Sequence, residues 1–292
     1  MKIKSPAKIN LALDVTGKLD NGYHSIESVF QTVSIYDEIT VELTDSGIAL
    51  TCEVPEEFRT SDPIPCDERN IAYKSARKFF DDNNLDIGCR IHIKKGIPSQ
   101  AGMGGGSSDS AGVLYCLSKL TGKEIISPEK SGADVPFFLT GGTAYVSGIG
   151  EKITPIADYS GYFVIAKGRQ GVSTAEAYRK IDSLVNPVHP PVSKLVEAIG
   201  NSPENAYKYF GNIFEDAIQL DEVNTIKSVM LECNARSAVM TGSGSAVFGF
   251  FGNSYHESVD NAEYCAKKLL WAGFYARVCT SVNKSFIEIW GK

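Results

Sequence analysis

Eleven consecutive residues, Pro98-Ser99-Gln100-Ala101-Gly102-Met103-Gly104-Gly105-Gly106-Ser107-Ser108, carry four glycines in five positions followed by two hydroxyls. Without Cβ atoms such a run turns tightly and presents consecutive N–H groups, and a helix start directly after it adds positive dipole, so the segment predicts a nest for phosphate oxygens. Ser107 and Ser108 can take a phosphate oxygen or a magnesium-bound water. Two better-known loops are excluded by counting. A Walker A loop ends Gly-Lys-Ser/Thr, whereas Gly106 is followed by Ser107, and a G-x-G-x-x-G run started at Gly102 meets Ser107 where its last glycine belongs.

Three further clusters carry reactive types. Lys8 and Asn10 lie two apart on an otherwise apolar first strand, either as edge-strand polarity or facing a site. Gly132-Ala133-Asp134-Val135-Pro136 sets a carboxylate among small and apolar neighbours, which suits an acid/base, a magnesium ligand or a helix cap. Thr241-Gly242-Ser243-Gly244-Ser245 is a second glycine-serine turn, a plain hairpin or part of a site.

Elements that would position these clusters follow from periodicity and turn residues. Ile3, Ala7, Ile9, Leu11 and Leu13 alternate as a strand, Asp20-Asn21-Gly22 is a turn, and Ser28–Val33 and Glu38–Leu43 extend the pairing. Asp67 is a candidate cap for a helix through Ile71, Ser75, Ala76 and Phe79, followed by a strand at Cys89–Ile93 and a helix from about Ser108 to Leu120. A boundary is placed near residue 157. Beyond it come strands Tyr162–Ala166, Ser237–Met240 and Ala246–Phe251, a helix Tyr255–Ala272 stopped by Gly273, and strands Tyr275–Ser281 and Phe286–Trp290. Helices on one side of an antiparallel sheet, an α+β class, fit this order.

The 292 residues are 43% hydrophobic, enough for one large core or two ordinary ones. Lys plus Arg number 29 against Asp plus Glu 35, a net charge of -6 that argues against a nucleic-acid surface. No apolar stretch reaches the roughly 18 residues of a membrane helix and no signal-peptide core is visible, so a cytoplasmic protein with no membrane partner is expected. Seven cysteines at irregular spacing, without C-x-x-C, read as free thiols.

Pro98 to Ala111 resembles the P-x-x-x-G-L-G-S-S-x-A motif of the galactokinase, homoserine kinase, mevalonate kinase and phosphomevalonate kinase (GHMP) superfamily, with Met103 near the leucine position and one extra glycine. Lys8 with Asn10, Gly22-Tyr23-His24, Gly132 to Pro136, Gly171 to Thr174 and Met240 to Ala246 are similar, in the same order, to the 4-diphosphocytidyl-2-C-methyl-D-erythritol kinase family. That resemblance implies a two-domain fold, 1–157 and 158–292, the first of the ribosomal protein S5 domain 2-like type and the second ferredoxin-like, with the active site in the cleft between them. It implies ATP- and Mg2+-dependent phosphorylation of the 2-hydroxyl of a substrate bearing a cytidine diphosphate group, in the non-mevalonate route to isoprenoids, by a monomer or weak homodimer. Asp134 would accept the hydroxyl proton beside Lys8, while Pro98, Gly102, Met103, Gly104, Gly105, Gly106, Ser107 and Ser108 would hold ATP phosphates, with Ser107 or Ser108 near magnesium. Asn70 and Lys95 would lie on the adenine side. Asn10, Tyr23, His24, Thr174, Tyr178, Gly242 and Ser243 would meet the second substrate, His24 on the cytosine edge with Tyr23 and Tyr178 flanking the base. The alternatives are a mevalonate or homoserine kinase, or a silent nucleotide-binding sensor.

The chain departs from the family between the phosphate-loop helix and Gly132. Only Thr121–Ser131 intervene, too few for a loop plus a helix of about 11 residues, so the position of Asp134 rests on how this short connection folds. Asp109, where Asn is also common, is expected to add negative charge near the helix start.

Overall fold

The computed structural model describes residues 1–58 and 63–289. In chain order, β1 (Lys2–Lys18), β2 (His24–Thr44) and β3 (Ile48–Glu53) precede α1 (Ile71–Asp82) and β4 (Gly88–Lys94), followed by α2 (Gly105–Thr121), α3 (Val135–Thr140), β5 (Thr143–Gly148) and β6 (Lys152–Pro155). The remainder forms β7 (Tyr162–Lys167), α4 (Thr174–Ile181), α5 (Val192–Asn201), β8 (Gly211–Asn212), α6 (Phe214–Ala217) and α7 (Asp221–Glu232). The chain then closes with β9 (Ser237–Met240), β10 (Val247–Gly252), α8 (Tyr255–Trp271), β11 (Tyr275–Thr280) and β12 (Ile287–Glu288).

One sheet has the order β12-β1-β2-β4-β3, with β5 also on β2, β6 on β5 and β8 on β1. It is mixed rather than antiparallel as the sequence pattern suggested, because β3·β4 and β1·β8 are parallel. The physical reason for the first is connection length: α1 lies between β3 and β4, and a crossover helix returns the chain in the same direction. The second sheet, β11-β7-β10-β9, is antiparallel throughout and has the fourth-first-third-second strand order of a ferredoxin-like unit.

Several boundaries differ from the sequence reading. The cap of α1 is Asn70, whose side chain accepts from the Ala72 N–H at 2.8 Å, while Asp67 instead pairs with Arg69. Helix α2 begins at Gly105, inside the glycine run, because Gly104 takes a left-handed φ of 70° as its cap. The last strand is only Ile287–Glu288, and Trp290 lies outside the described residues. The short connection after α2 holds one 3-10 turn, Pro128–Ser131, in place of a helix.

Long β1 is buried along almost its whole length because α2 covers one face and the second unit the other. Helix α2 comes close through its small residues: a Cβ on Gly112 would stand 2.5 Å from Ile39 Cδ1. One core cluster joins Ala7, Ile9 and Leu11 of β1 to Phe163, Phe248 and Phe250 of the second sheet. Among the described residues no helix is long and apolar enough to cross a membrane, and all seven cysteines are free.

Candidate active site

Pleating puts Lys8 and Asn10 on one side of β1, and both are almost fully buried beneath the glycine-rich loop. The Lys8 ammonium donates to Asn10 Oδ1 at 2.7 Å, lies 4.4 Å from the Phe30 ring centroid and stands 3.8 Å from Asp134 Oδ2. Burial lowers the Lys8 pKa, and the Asp134 carboxylate opposes that shift. The short connection after α2 therefore still delivers Asp134 to Lys8, from the residue just before α3. Asn10 is the hub beneath them: its Oδ1 also accepts from the Gly242 N–H at 3.0 Å and the Thr241 hydroxyl at 3.2 Å, and its Nδ2 donates to Ser28 at 3.0 Å.

The two glycine turns meet backbone to backbone. A Cβ on Gly102 would fall 2.1 Å from the Thr241 carbonyl oxygen and one on Gly242 would fall 2.7 Å from the Gly102 oxygen, with φ of +70° and +56°. Only glycine allows both the approach and the conformation. Asn212 fixes the second turn by donating to the carbonyls of Met240 and Gly242 at 2.7 and 2.8 Å. Nothing in the local pattern around Asn212 marked it beforehand.

The two serines part ways. The Ser108 hydroxyl donates to the Pro6 carbonyl at 2.7 Å and lies 2.6 Å from Ser5 Oγ, and its N–H donates to the Gly104 carbonyl, so this fully buried residue ties α2 to β1. Ser107 lines the cleft. The Met103 side chain is buried in the core while its carbonyl accepts from the Lys8 N–H at 3.1 Å.

Lys95 is locked in a buried cluster, bonded to Asp37 and, at 2.7 Å, to Asp109. Asp37 also accepts the N–H groups of Gly96 and Ile97 at 2.7 and 2.9 Å, clasping the segment that leads into the glycine-rich loop. Burial pulls the Lys95 pKa down, but Asp109 and Asp37 more than offset it and hold the ammonium charged. Burial pushes the Asp109 carboxyl well up against the opposing pull of Lys95. Asp109, its Oδ2 accepting from Lys95, sits inside this buried cluster beside the start of α2. Asn70, besides capping α1, donates to the Pro65 carbonyl at 2.8 Å.

At the far end of the cleft, His24 stacks on Tyr178 with centroids 4.7 Å apart and planes at 24°. Tyr178 stands edge-on to Phe214, and burial, with Asp134 adding to it, pushes its hydroxyl up to about 12. Tyr23 projects outward, 61% exposed. Thr174 and Ser243 approach within 3.1 Å, joining the start of α4 to the second glycine turn. A single cleft of about 1130 Å3 gathers every residue named from the sequence as a site residue except Ser108. A second cavity, of about 1050 Å3, opens beyond Lys95 and Pro98 toward Lys167 and Arg277, and neither Lys8 nor Asp134 lines it.

Residues 70–142 match the family model described as GHMP kinases N terminal domain. A Clostridium acetobutylicum protein named 4-diphosphocytidyl-2-C-methyl-D-erythritol kinase is 38% identical over 264 residues, covering 87% of this chain and 92% of the relative. This chain belongs to that kinase family. A Clostridium tetani protein of the same name is 39% identical over 282 residues, covering 92% of this chain and 95% of the relative. The crystal structure of a 4-(cytidine 5'-diphospho)-2C-methyl-D-erythritol kinase superposes with a TM-score of 0.79 at 31% identity, over 96% of this chain and 99% of the other. A homoserine kinase from Cytophaga hutchinsonii, TM-score 0.76 at 17% identity over 99% and 97% of the two chains, shares the fold. Like its relatives, this family member is a small-molecule kinase with ATP as phosphoryl donor.

Proposed function

We propose that the protein transfers the γ-phosphoryl group of ATP to the 2-hydroxyl of 4-diphosphocytidyl-2-C-methyl-D-erythritol, a step of the non-mevalonate route to isoprenoid precursors. The observation that carries this is the meeting, in one cleft, of a glycine-rich helix start, the Lys8–Asp134 pair and the His24–Tyr178 stack. Phosphoryl transfer asks a protein for positioning and charge stabilisation rather than covalent chemistry. The N–H groups around Gly104 to Gly106 and the start of α2 would hold the β- and γ-phosphates. Asp134 would take the proton of the attacking hydroxyl while its oxygen bonds to phosphorus and ADP leaves. Lys8, fixed by Asn10, would favour the developing alkoxide.

Magnesium, arriving with the nucleotide, would neutralise phosphate charge, and the Ser107 hydroxyl is the hard oxygen at the helix start suited to it. Lys95 and Asn70 would border the adenine, and Thr174, Ser243 and the Gly242 backbone the substrate diphosphate, with cytosine against His24, Tyr178 and Tyr23. The same reading divides the chain near residue 157 and gives a cytoplasmic monomer or weak homodimer with no nucleic-acid or membrane partner.

The test is ADP release with ATP and magnesium against a panel of the cytidine-bearing substrate, mevalonate and homoserine. Turnover is expected with the first alone, and in His24→Ala the KM for it should rise far more than the KM for ATP. Turnover of mevalonate or homoserine instead would move the protein to another branch, and tight binding without turnover would make it a sensor.

A further inference from the structure

One carboxylate at the base-recognition end has no role in the chemistry described so far. Asp182, the residue that ends α4, lies one helical turn after Tyr178. Its Oδ1 is 2.6 Å from His24 Nε2 and its Oδ2 accepts from the Lys18 ammonium at 2.5 Å. Lys18 and His24 are direct cross-strand partners at the turn end of the β1–β2 hairpin, so one carboxylate from the other unit clamps both. The His24 side chain is only 10% exposed although it lines the cleft, and its Nδ1 makes no hydrogen bond among the described residues.

An ionised carboxylate can only accept hydrogen bonds. The bonds from Lys18 and His24 hold the Asp182 pKa below the usual carboxylate value, so the proton in the His24–Asp182 contact belongs to Nε2. In the neutral ring that leaves Nδ1 with a lone pair. A lone pair there accepts from the exocyclic amine of a cytosine and meets a second lone pair if the base carries a carbonyl, as uracil does. We propose that Asp182, braced by Lys18, is the positioning residue that fixes the His24 tautomer and thereby makes the cleft prefer an amino-pyrimidine over a keto-pyrimidine. The proposal rests on the functional reading above for the identity of the base.

Two measurements test it on the whole 292-residue chain. Nitrogen-15 chemical shifts of the His24 imidazole, taken without ligand, should show protonated Nε2 and unprotonated Nδ1. In Asp182→Asn, whose amide can donate as well as accept, they should show a mixture. Calorimetric binding of CDP and UDP should favour CDP in the natural protein, and in Asp182→Asn that preference should fall roughly ten- to a hundredfold. ATP binding and the unfolding temperature should stay constant, and Asp182→Glu should keep more of the preference than the isosteric Asn. A proton on Nδ1 in the natural protein, or a CDP-to-UDP ratio that Asp182→Asn leaves unchanged, overturns the proposal. Loss of the preference in Asp182→Asn in a protein that phosphorylates no cytidine substrate would support the positioning role while defeating the kinase assignment.

Discussion

Lys8 and Asp134 are brought within reach of each other only by the fold. At 3.8 Å, with Lys8 buried and the Asp134 side chain 27% exposed, the carboxylate stays open to a substrate hydroxyl while feeling the ammonium. The base proposed above would act mainly in the transition state. Asp134→Ala is therefore expected to lower kcat by about 10²–10⁴-fold, in line with general-base contributions. ATP affinity should remain nearly intact, and single-turnover kinetics with nucleotide titration checks both. An equal loss in both would assign Asp134 to nucleotide binding. Lys8 gives a pH signature. Burial lowers its pKa, so the cation is complete below the lowered value and is lost as pH rises through it. The kcat profile should fall on an alkaline limb below the ordinary lysine range, and Lys8→Arg should move that limb upward. The types and neighbours of these residues were legible in the sequence, but the Ser107–Ser108 division was not, since both hydroxyls have the same local context and only the packing of α2 on β1 engages one of them.

The glycine turns work as matched elements. Gly102 and Gly242 come from segments about 140 residues apart in sequence and pack carbonyl against Cα, which holds the first glycine turn against the second, the one that Asn10 and Asn212 fix. Gly102→Ala combines a positive φ with a backbone clash. A cost of about 1–3 kcal/mol or more is expected, read as a lower urea midpoint at constant m-value, together with weaker ATP binding. Gly122→Ala is the control, since its φ is also positive but a Cβ there meets nothing within 4 Å. A loss as large in Gly122→Ala would assign the effect to backbone conformation alone. Periodicity exposed β9, β10, α8 and β11 nearly to their ends because alternation and 3.6-residue repeats are local properties. It did not expose the parallel pairing of β3 with β4 or of β8 with β1, because strand direction depends on what the intervening chain does in space.

At the scale of the molecule, the sequence boundary near residue 157 is crossed by structure. Strands β8 and β12, from residues 211–212 and 287–288, complete the first sheet on β1, and the core around Ala7, Ile9 and Leu11 is shared with Phe163, Phe248 and Phe250. The full chain should unfold in one transition, and a fragment of residues 1–157 should be aggregation-prone or only partly ordered, as far-ultraviolet circular dichroism and gel filtration would show. A fragment with a cooperative transition of its own would contradict that coupling. The cleft is lined by β1 of the first sheet and by α4 and the β9–β10 turn of the second unit, and a chain of net charge -6 would hold phosphates there through backbone N–H groups and a few buried cations. The amino-acid sequence by itself determined the chemistry on offer, because a glycine run before a helix and the lysine, carboxylate and histidine motifs are contiguous and carry their physics in their spacing. Tertiary structure alone decided which groups meet. Asp182 reaches His24 across 158 residues and Asn10 reaches Gly242 across 232, and no local spacing encodes contacts made only when two sheets close on one core.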